Sequence, residues 1–217
     1  MFGIERTKLS LVIVCQLSIL AVSGCGMKLR TATEYVMDGN EYFKIGDYKK
    51  AEKAYNEALR LSPNSATAMN NLGVILNEEG RYDEAIAVLQ KAVRRDPKNS
   101  SIAHYVLASA LTKKKLYDVA MEQATIATQI DPSEPAAYRA LAEAAEGKSD
   151  YAAAIQAYRS IIAIEPDNDV THHRLAVALG HVGDTDAQVA EEQKALAINP
   201  DNSDAKKALD EISKKTH

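Results

Sequence analysis

Five prolines, Pro63, Pro97, Pro132, Pro166 and Pro200, recur at intervals of 34, 35, 34 and 34 residues, and the stretches between them repeat one pattern. Ala66 to Asn99 shows it most fully: Asn70-Asn71-Leu72-Gly73, then Gly80-Arg81-Tyr82-Asp83-Glu84-Ala85, then Ala92 and Asp96-Pro97. With each proline numbered 32 in its unit, position 8 holds Gly39, Gly73, Ala108, Ala142 and Ala176. Position 20 holds Ala51, Ala85, Ala120, Ala154 and Gln188, and position 27 holds Ala58, Ala92, Ala127, Ile161 and Ala195. Small residues at fixed places mark helix crossings where a larger side chain would overpack at a cost of about 1–3 kcal/mol. Tyr48, Tyr82, Tyr117 and Tyr151 at position 17, with Tyr55, Leu89 and Tyr158 at position 24, supply the bulk. Each proline lacks the N–H that a helix interior needs and ends the second helix of its unit. Asn64, Asn99, Ser133, Asn168 and Ser203 are the candidate caps for the helices that follow.

A helix-turn-helix unit of this period, with a small residue early, a tyrosine after the turn, two alanines in the second helix and a closing proline, resembles the tetratricopeptide repeat. The resemblance covers residues 32–201 and implies an all-α fold, a right-handed superhelical array of five helix-turn-helix repeats (32–65, 66–99, 101–134, 135–168 and 169–202). The fifth unit departs from the pattern: Thr185, Gln188 and Glu192 replace the aromatic, the alanine and the bulky apolar residue of its second helix. A helix is expected there, with weaker packing. Beyond Pro200, Asp204 to Lys214 reads as an amphipathic helix with Ala205, Ala208, Leu209 and Ile212 on one face, within a terminal segment 203–217. A stacked array needs such a polar-backed cap over its last apolar surface.

Composition agrees with stacked helices: 46% of residues are apolar, with no tryptophan and 10 glycines. The formal charge is −4 at pH 7, and loss of Glu5, Arg6 and Lys8 with a leader would make it one unit more negative. Neither value provides the basic surface that nucleic acid or anionic lipid requires.

Residues 1–24 lie outside the repeat pattern. Arg6 and Lys8 precede an almost unbroken apolar run, Leu9 to Val22, which is shorter than the about twenty residues of a membrane span and has the form of a signal-peptide core. Val22-Ser23-Gly24-Cys25 then resembles a bacterial lipobox, in which small residues admit the segment to a signal peptidase and the thiol accepts the lipid. The resemblance makes Cys25 the lipidation site and residues 25–31 a tether. Gly26 in place of aspartate implies, by the sorting rule of two-membrane bacteria, the periplasmic face of the outer membrane; in a one-membrane cell the same anchor implies the outer face of the cell membrane. Cys15 would leave with the leader, so the mature chain could build no disulfide or thiolate cluster.

Catalytic chemistry finds little footing. His172, His173 and His181 are not spaced three or four apart as paired ligands on one helix are, so packing or solvation is the reading, and no metal or cofactor is implied. No phosphate loop or nucleophile elbow is present. Glu143 and Glu146 share a helix face but have no partner base, so an enzyme is not expected. Asn99-Ser100-Ser101 reads as a cap and turn, and Lys113-Lys114-Lys115 as cations at a helix C-terminus.

A binding surface remains. In the family this chain resembles, the first helix of each unit lines a concave groove, and its groove positions select Asn40, Phe43 and Lys44, then Asn70, Asn71, Val74 and Asn77. They continue with Tyr105, Ser109 and Thr112, then Arg139 and Glu143, then His173, Arg174 and His181. Asn40 and Asn71 match the asparagines of the clamp that holds acidic chaperone tails, but Val36, Ile102 and Val106 stand where that clamp needs bases. The expected function is a membrane-anchored protein-binding scaffold whose partner is a peptide or helix of an envelope protein, for assembly of a pilus, secretion or cell-wall complex, without nucleic acid or small-molecule substrate. The alternatives are a self-associating structural subunit and, further off, a metal-dependent enzyme using the fifth unit.

Overall fold

In the computed structural model the described residues are 30–96 and 100–215. The leader, Cys25 and Asn99 lie outside them, as do Pro97 and the side chain of Lys215. Among the described residues there are eleven helices: α1 (Ala32–Lys44), α2 (Tyr48–Leu61), α3 (Ala66–Glu78), α4 (Tyr82–Arg95), α5 (Ser101–Lys113), α6 (Tyr117–Ile130), α7 (Pro135–Lys148), α8 (Tyr151–Ile164), α9 (Asp169–His181), α10 (Thr185–Ile198) and α11 (Ser203–Lys215). All belong to one compact unit, 32–217. Each helix packs on the next, and the first helices of adjacent repeats also meet, α1 with α3, α3 with α5 and α5 with α7. None is long and apolar enough to cross a membrane.

The repeating small residues are the crossings. Every residue at positions 20 and 27 from Ala51 to Ile161 is buried, as is Ala195. At position 8 the backbone comes closer than a Cβ permits: one built on Gly39 would lie 2.4 Å from the Tyr55 ring, and one on Gly73 would lie 2.5 Å from Leu89. The third unit resolves the same crossing as alanine on alanine, with Ala108 and Ala124 both fully buried in one cluster. A first core runs from Ala51 to Ala144 and a second from Ala142 to Leu179, and Met121 packs against both.

The turn inside each repeat has one geometry. Gly46, Gly80, Lys115, Ser149 and Gly183 occupy the left-handed region. The residue after each donates its N–H back to the helix: Asp47 to Tyr42, Arg81 to Leu76, Leu116 to Leu111, Asp150 to Ala145 and Asp184 to Leu179, at 2.8–3.1 Å. This six-residue closure satisfies a carbonyl that the helix end would otherwise leave open.

Ion pairs then link successive repeats at their turns. Lys114 reaches Asp83 at 3.0 Å, and Lys148 reaches Asp118 at 2.6 Å from the equivalent position one unit later. Arg81 holds Glu84 with two bonds, Glu79 at 2.9 Å, and Glu52 of the preceding unit at 2.7 Å. The lysine run therefore does structural work in three ways: Lys113 ends α5, Lys114 bridges to α4, and Lys115 makes the turn.

The caps differ from expectation by one residue. Ser65 rather than Asn64 accepts from Ala68 N, because α3 begins at Ala66. Ser133 is engaged with Asp131 in the turn, so Glu134 caps α7 ahead of Pro135. Ser203 is already helical, and Asn202 caps α11 through Ala205 N. Ser100, one residue past the expected Asn99, caps α5, whereas Asn168 caps α9 as expected.

In the fifth unit the second helix forms as expected, and it buries only Glu192 and Ala195. Gln188 fits where other units have alanine because Gly180 faces it, with a Cβ there lying 2.7 Å from the Gln188 amide. Glu192 is completely buried.

Two stability measurements check this account. Ala120→Leu at a crossing should destabilise by about 1–3 kcal/mol in urea unfolding, while Ala163→Leu on an exposed face stays within about 0.5 kcal/mol. Lys115→Gly relieves a left-handed side chain and should raise stability by about 0.5–1 kcal/mol after the entropy cost of glycine.

Candidate protein-binding groove

The odd-numbered helices supply a run of two depressions that share Val74. The first, of about 390 Å³, is lined by Met37, Asn40, Phe43 and Lys44 of α1, Tyr55 of α2, and Asn71 and Val74 of α3, with Glu41 at its rim. The second, of about 550 Å³, continues from Val74 and Asn77 past Tyr105 and Ser109 of α5 to Arg139 and Glu143 of α7. The spacing of first helices one repeat apart brings these side chains together, since each presents the same face to its neighbour.

Polar groups in the first depression are held in place. Asn40 Oδ1 accepts from the Tyr55 hydroxyl and from Asn71 Nδ2, each at 2.8 Å. Burial pushes the Tyr55 phenol above its ordinary range, so it remains a donor. Phe43 stacks on Tyr48 with ring centres 5.6 Å apart. Glu41 and Lys44 pair at 2.8 Å, which leaves the rim without net charge. The arrangement is an apolar floor beside two oriented amides, suited to an apolar side chain and the peptide group next to it.

In the second depression Asn77 donates to the Val106 carbonyl at 3.0 Å, and Ser109 donates to the Tyr105 carbonyl at 3.1 Å. Tyr105 is raised by burial, with Glu134 adding to the effect and Arg139 opposing it. Beyond it Tyr158 is raised by burial and then by Glu146, which also faces Arg174 at 3.7 Å.

Several sequence-selected residues lie elsewhere. Asn70 is buried and donates to Ser100 Oγ at 3.2 Å, so its amide serves the contact between units. Thr112 has its hydroxyl buried without a partner in place of offering it to a ligand. His173 turns to Glu192, and His181 stacks on Tyr151 with centres 4.0 Å apart. Met37 and Val106 occupy the same helical position as Asn71, and Glu78 and Lys113 the same as Lys44, so the repeat period could have found them. Tyr82 comes from a second helix, where that rule has no reach. Among the described residues no group of three or more His, Cys, Asp or Glu side chains is arranged to hold a metal ion.

A family model for the tetratricopeptide repeat matches residues 36–100 and 105–169, more than half of the chain. Small glutamine-rich tetratricopeptide repeat-containing protein 2 of Mycosarcoma maydis is 31% identical over 105 residues, 48% of this chain and 30% of that protein. The chain thus spans less than a third of that relative's length. Among solved structures, the MamA protein is 27% identical with a TM-score of 0.67, over 78% of this chain and 92% of that one. YrrB, described as a TPR protein with an unusual peptide-binding site, superposes with a TM-score of 0.67 at 20% identity, over 82% and 92% of the two chains.

A buried hydroxyl with no partner costs stability, and valine keeps its shape without it. Thr112→Val should therefore stabilise the chain by about 1 kcal/mol in thermal or urea unfolding. A loss of stability would show that the hydroxyl is satisfied.

Proposed function

This chain belongs to the tetratricopeptide repeat family, and from that premise we propose that it is a non-catalytic scaffold holding a peptide or helix of another envelope protein in the groove along α1, α3, α5 and α7. Repeats of this family mediate protein–protein interaction. The observation that carries the finer reading is the pair of depressions joined at Val74, where Met37, Phe43 and Val74 offer apolar area beside the fixed amides of Asn40 and Asn71. A bound segment buries an apolar side chain there and pairs its backbone with the amides.

The second half of the proposal is the anchor. Val22-Ser23-Gly24-Cys25 after an apolar leader supports a lipid on Cys25, and Gly26 supports the periplasmic face of the outer membrane. Two or three acyl chains, at about 0.8 kcal/mol per buried CH₂, hold a protein where one chain binds only marginally. Confinement to the membrane raises the local concentration of the groove near membrane-bound partners, which suits assembly of a pilus, secretion or cell-wall complex.

A photo-crosslinking residue at position 74 of the full-length chain, expressed in bacteria, tests the groove. One envelope protein should be captured, and capture should be lost when Asn71→Glu and Arg139→Glu are combined in a chain of unchanged helical content. Unchanged capture would move the working surface away from the groove. Independently, Cys25→Ser should abolish incorporation of labelled fatty acid and release the chain from the membrane fraction.

A further inference from the structure

In the fifth repeat two histidine–carboxylate contacts join the two helices. His172 Nδ1 meets Glu191 Oε2 at 2.6 Å, and His173 Nδ1 meets both oxygens of Glu192, at 2.9 and 3.1 Å. In the other units the positions of Glu191 and Glu192 hold no carboxylate: they carry Ala54 and Tyr55, Val88 and Leu89, Gln123 and Ala124, and Ala157 and Tyr158. The third unit pairs His104 with the amide of Gln123 at 2.9 Å, and Ala124 stands where the fifth has Glu192. Glu192 is wholly shielded from solvent, and a buried carboxylate depends on its donors.

We propose that α9 and α10 form an acid-stabilised clasp, in which protonated His173 on one helix grips the buried Glu192 on the other, beside the His172–Glu191 contact, and the terminal hairpin loosens when that proton is lost. His172 adds a contact at each ring nitrogen, with Nε2 3.1 Å from the Pro166 carbonyl while Nδ1 faces Glu191. His173 gives up charge assistance to a carboxylate that has no access to water when its ring becomes neutral.

The surrounding charges favour the same state. Besides Glu192 on α10, His173 faces Asp204 on α11, with Arg174 beside it opposing. Arg174 is itself directed to Glu146 of α7 and lies near Tyr158 of α8. Lys194 shares Glu191 with His172 at 2.8 Å. The hydrogen bond from Glu192 raises His173 above its ordinary value against the opposing effect of burial. Its contribution to folding is thus complete below an unfolded value of about 6.5 and is lost as pH rises through the higher folded one. For Glu191, burial acts upward, but Lys194 and His172 outweigh it and hold the carboxyl low. Its contribution disappears only as pH falls through that lowered value.

Hydrogen exchange of the full chain, corrected for intrinsic rates, tests the clasp from about pH 5.5 to about pH 8, across the imidazole range. Protection of α9 and α10 amides should fall as pH rises while that of α3 and α4 stays level. The double variant Glu191→Gln, Glu192→Gln keeps the shape of both acids and should remove the slope. A level wild-type profile, or a variant with the wild-type slope, overturns the proposal. If the variant leaves α10 unprotected at every pH, the wild-type His173 ring is titrated by NMR instead. A midpoint above that of an unstructured histidine peptide supports the clasp, and one at or below it overturns it.

Discussion

The approach of two helices at one small residue per repeat sets everything else in this chain. Gly39 and Gly73 let the helix backbone rest against Tyr55 and Leu89, and alanines at two further crossings hold the remaining faces at the same separation. Dispersion and burial reward that closeness only if it is kept along the whole contact. Volume is therefore traded locally: Ala108 meets Ala124 in the third unit, and Gly180 makes room for Gln188 in the fifth. The pairs vary in size but preserve the distance, and a preserved distance lets one unit stack upon the next.

The groove follows from that stacking. Because odd-numbered helices come to lie side by side, residues one repeat apart face the same space, and Asn40 and Asn71 meet across it. Tyr55 performs two tasks there, filling the crossing beneath Gly39 with its ring and fixing Asn40 with its hydroxyl. The core and the candidate binding surface are thus coupled through one side chain. A change at Tyr55 would alter the amide pair as well as the packing, whereas Val74 and Met37 touch the groove from its partly open side.

How much of this was legible depended on whether the signal was periodic. The crossings at Ala51, Ala85, Ala120 and Ala154 recur in register, so the sequence shows them and the all-helical fold with them. Caps were harder, since Asn64-Ser65 and Asn202-Ser203 offer adjacent residues of similar chemistry and the backbone decides between them. Asn70 and Asn71 are neighbours on α3 but point to different contacts, one to Ser100 and one to Asn40. Lys115 and Ser149 take a left-handed turn that glycine marks in the other units, so only their alignment with Gly46, Gly80 and Gly183 announces it. The His–Glu pairs of α9 and α10 are separated by nineteen residues, a spacing that no helix periodicity reveals.

The place where the pattern breaks is also the place where a linear array can best accommodate a break. An internal repeat is held by neighbours on both sides, so a charge at its crossing would have to be compensated within two interfaces. Among the described residues the fifth unit has four repeats on one side and α11 on the other, which buries Ala205 and ties its first turn to Asp169 through Asn202. Its own stability is set more by the α9–α10 contact than that of any internal unit, and local opening there need not disturb the core from Ala51 to Ala144. Placing Glu192 at that one crossing, where other units have tyrosine, leucine or alanine, makes the terminal hairpin answer to the charge state of His173. The groove, which lies along α1 to α7, keeps the packing that shapes it.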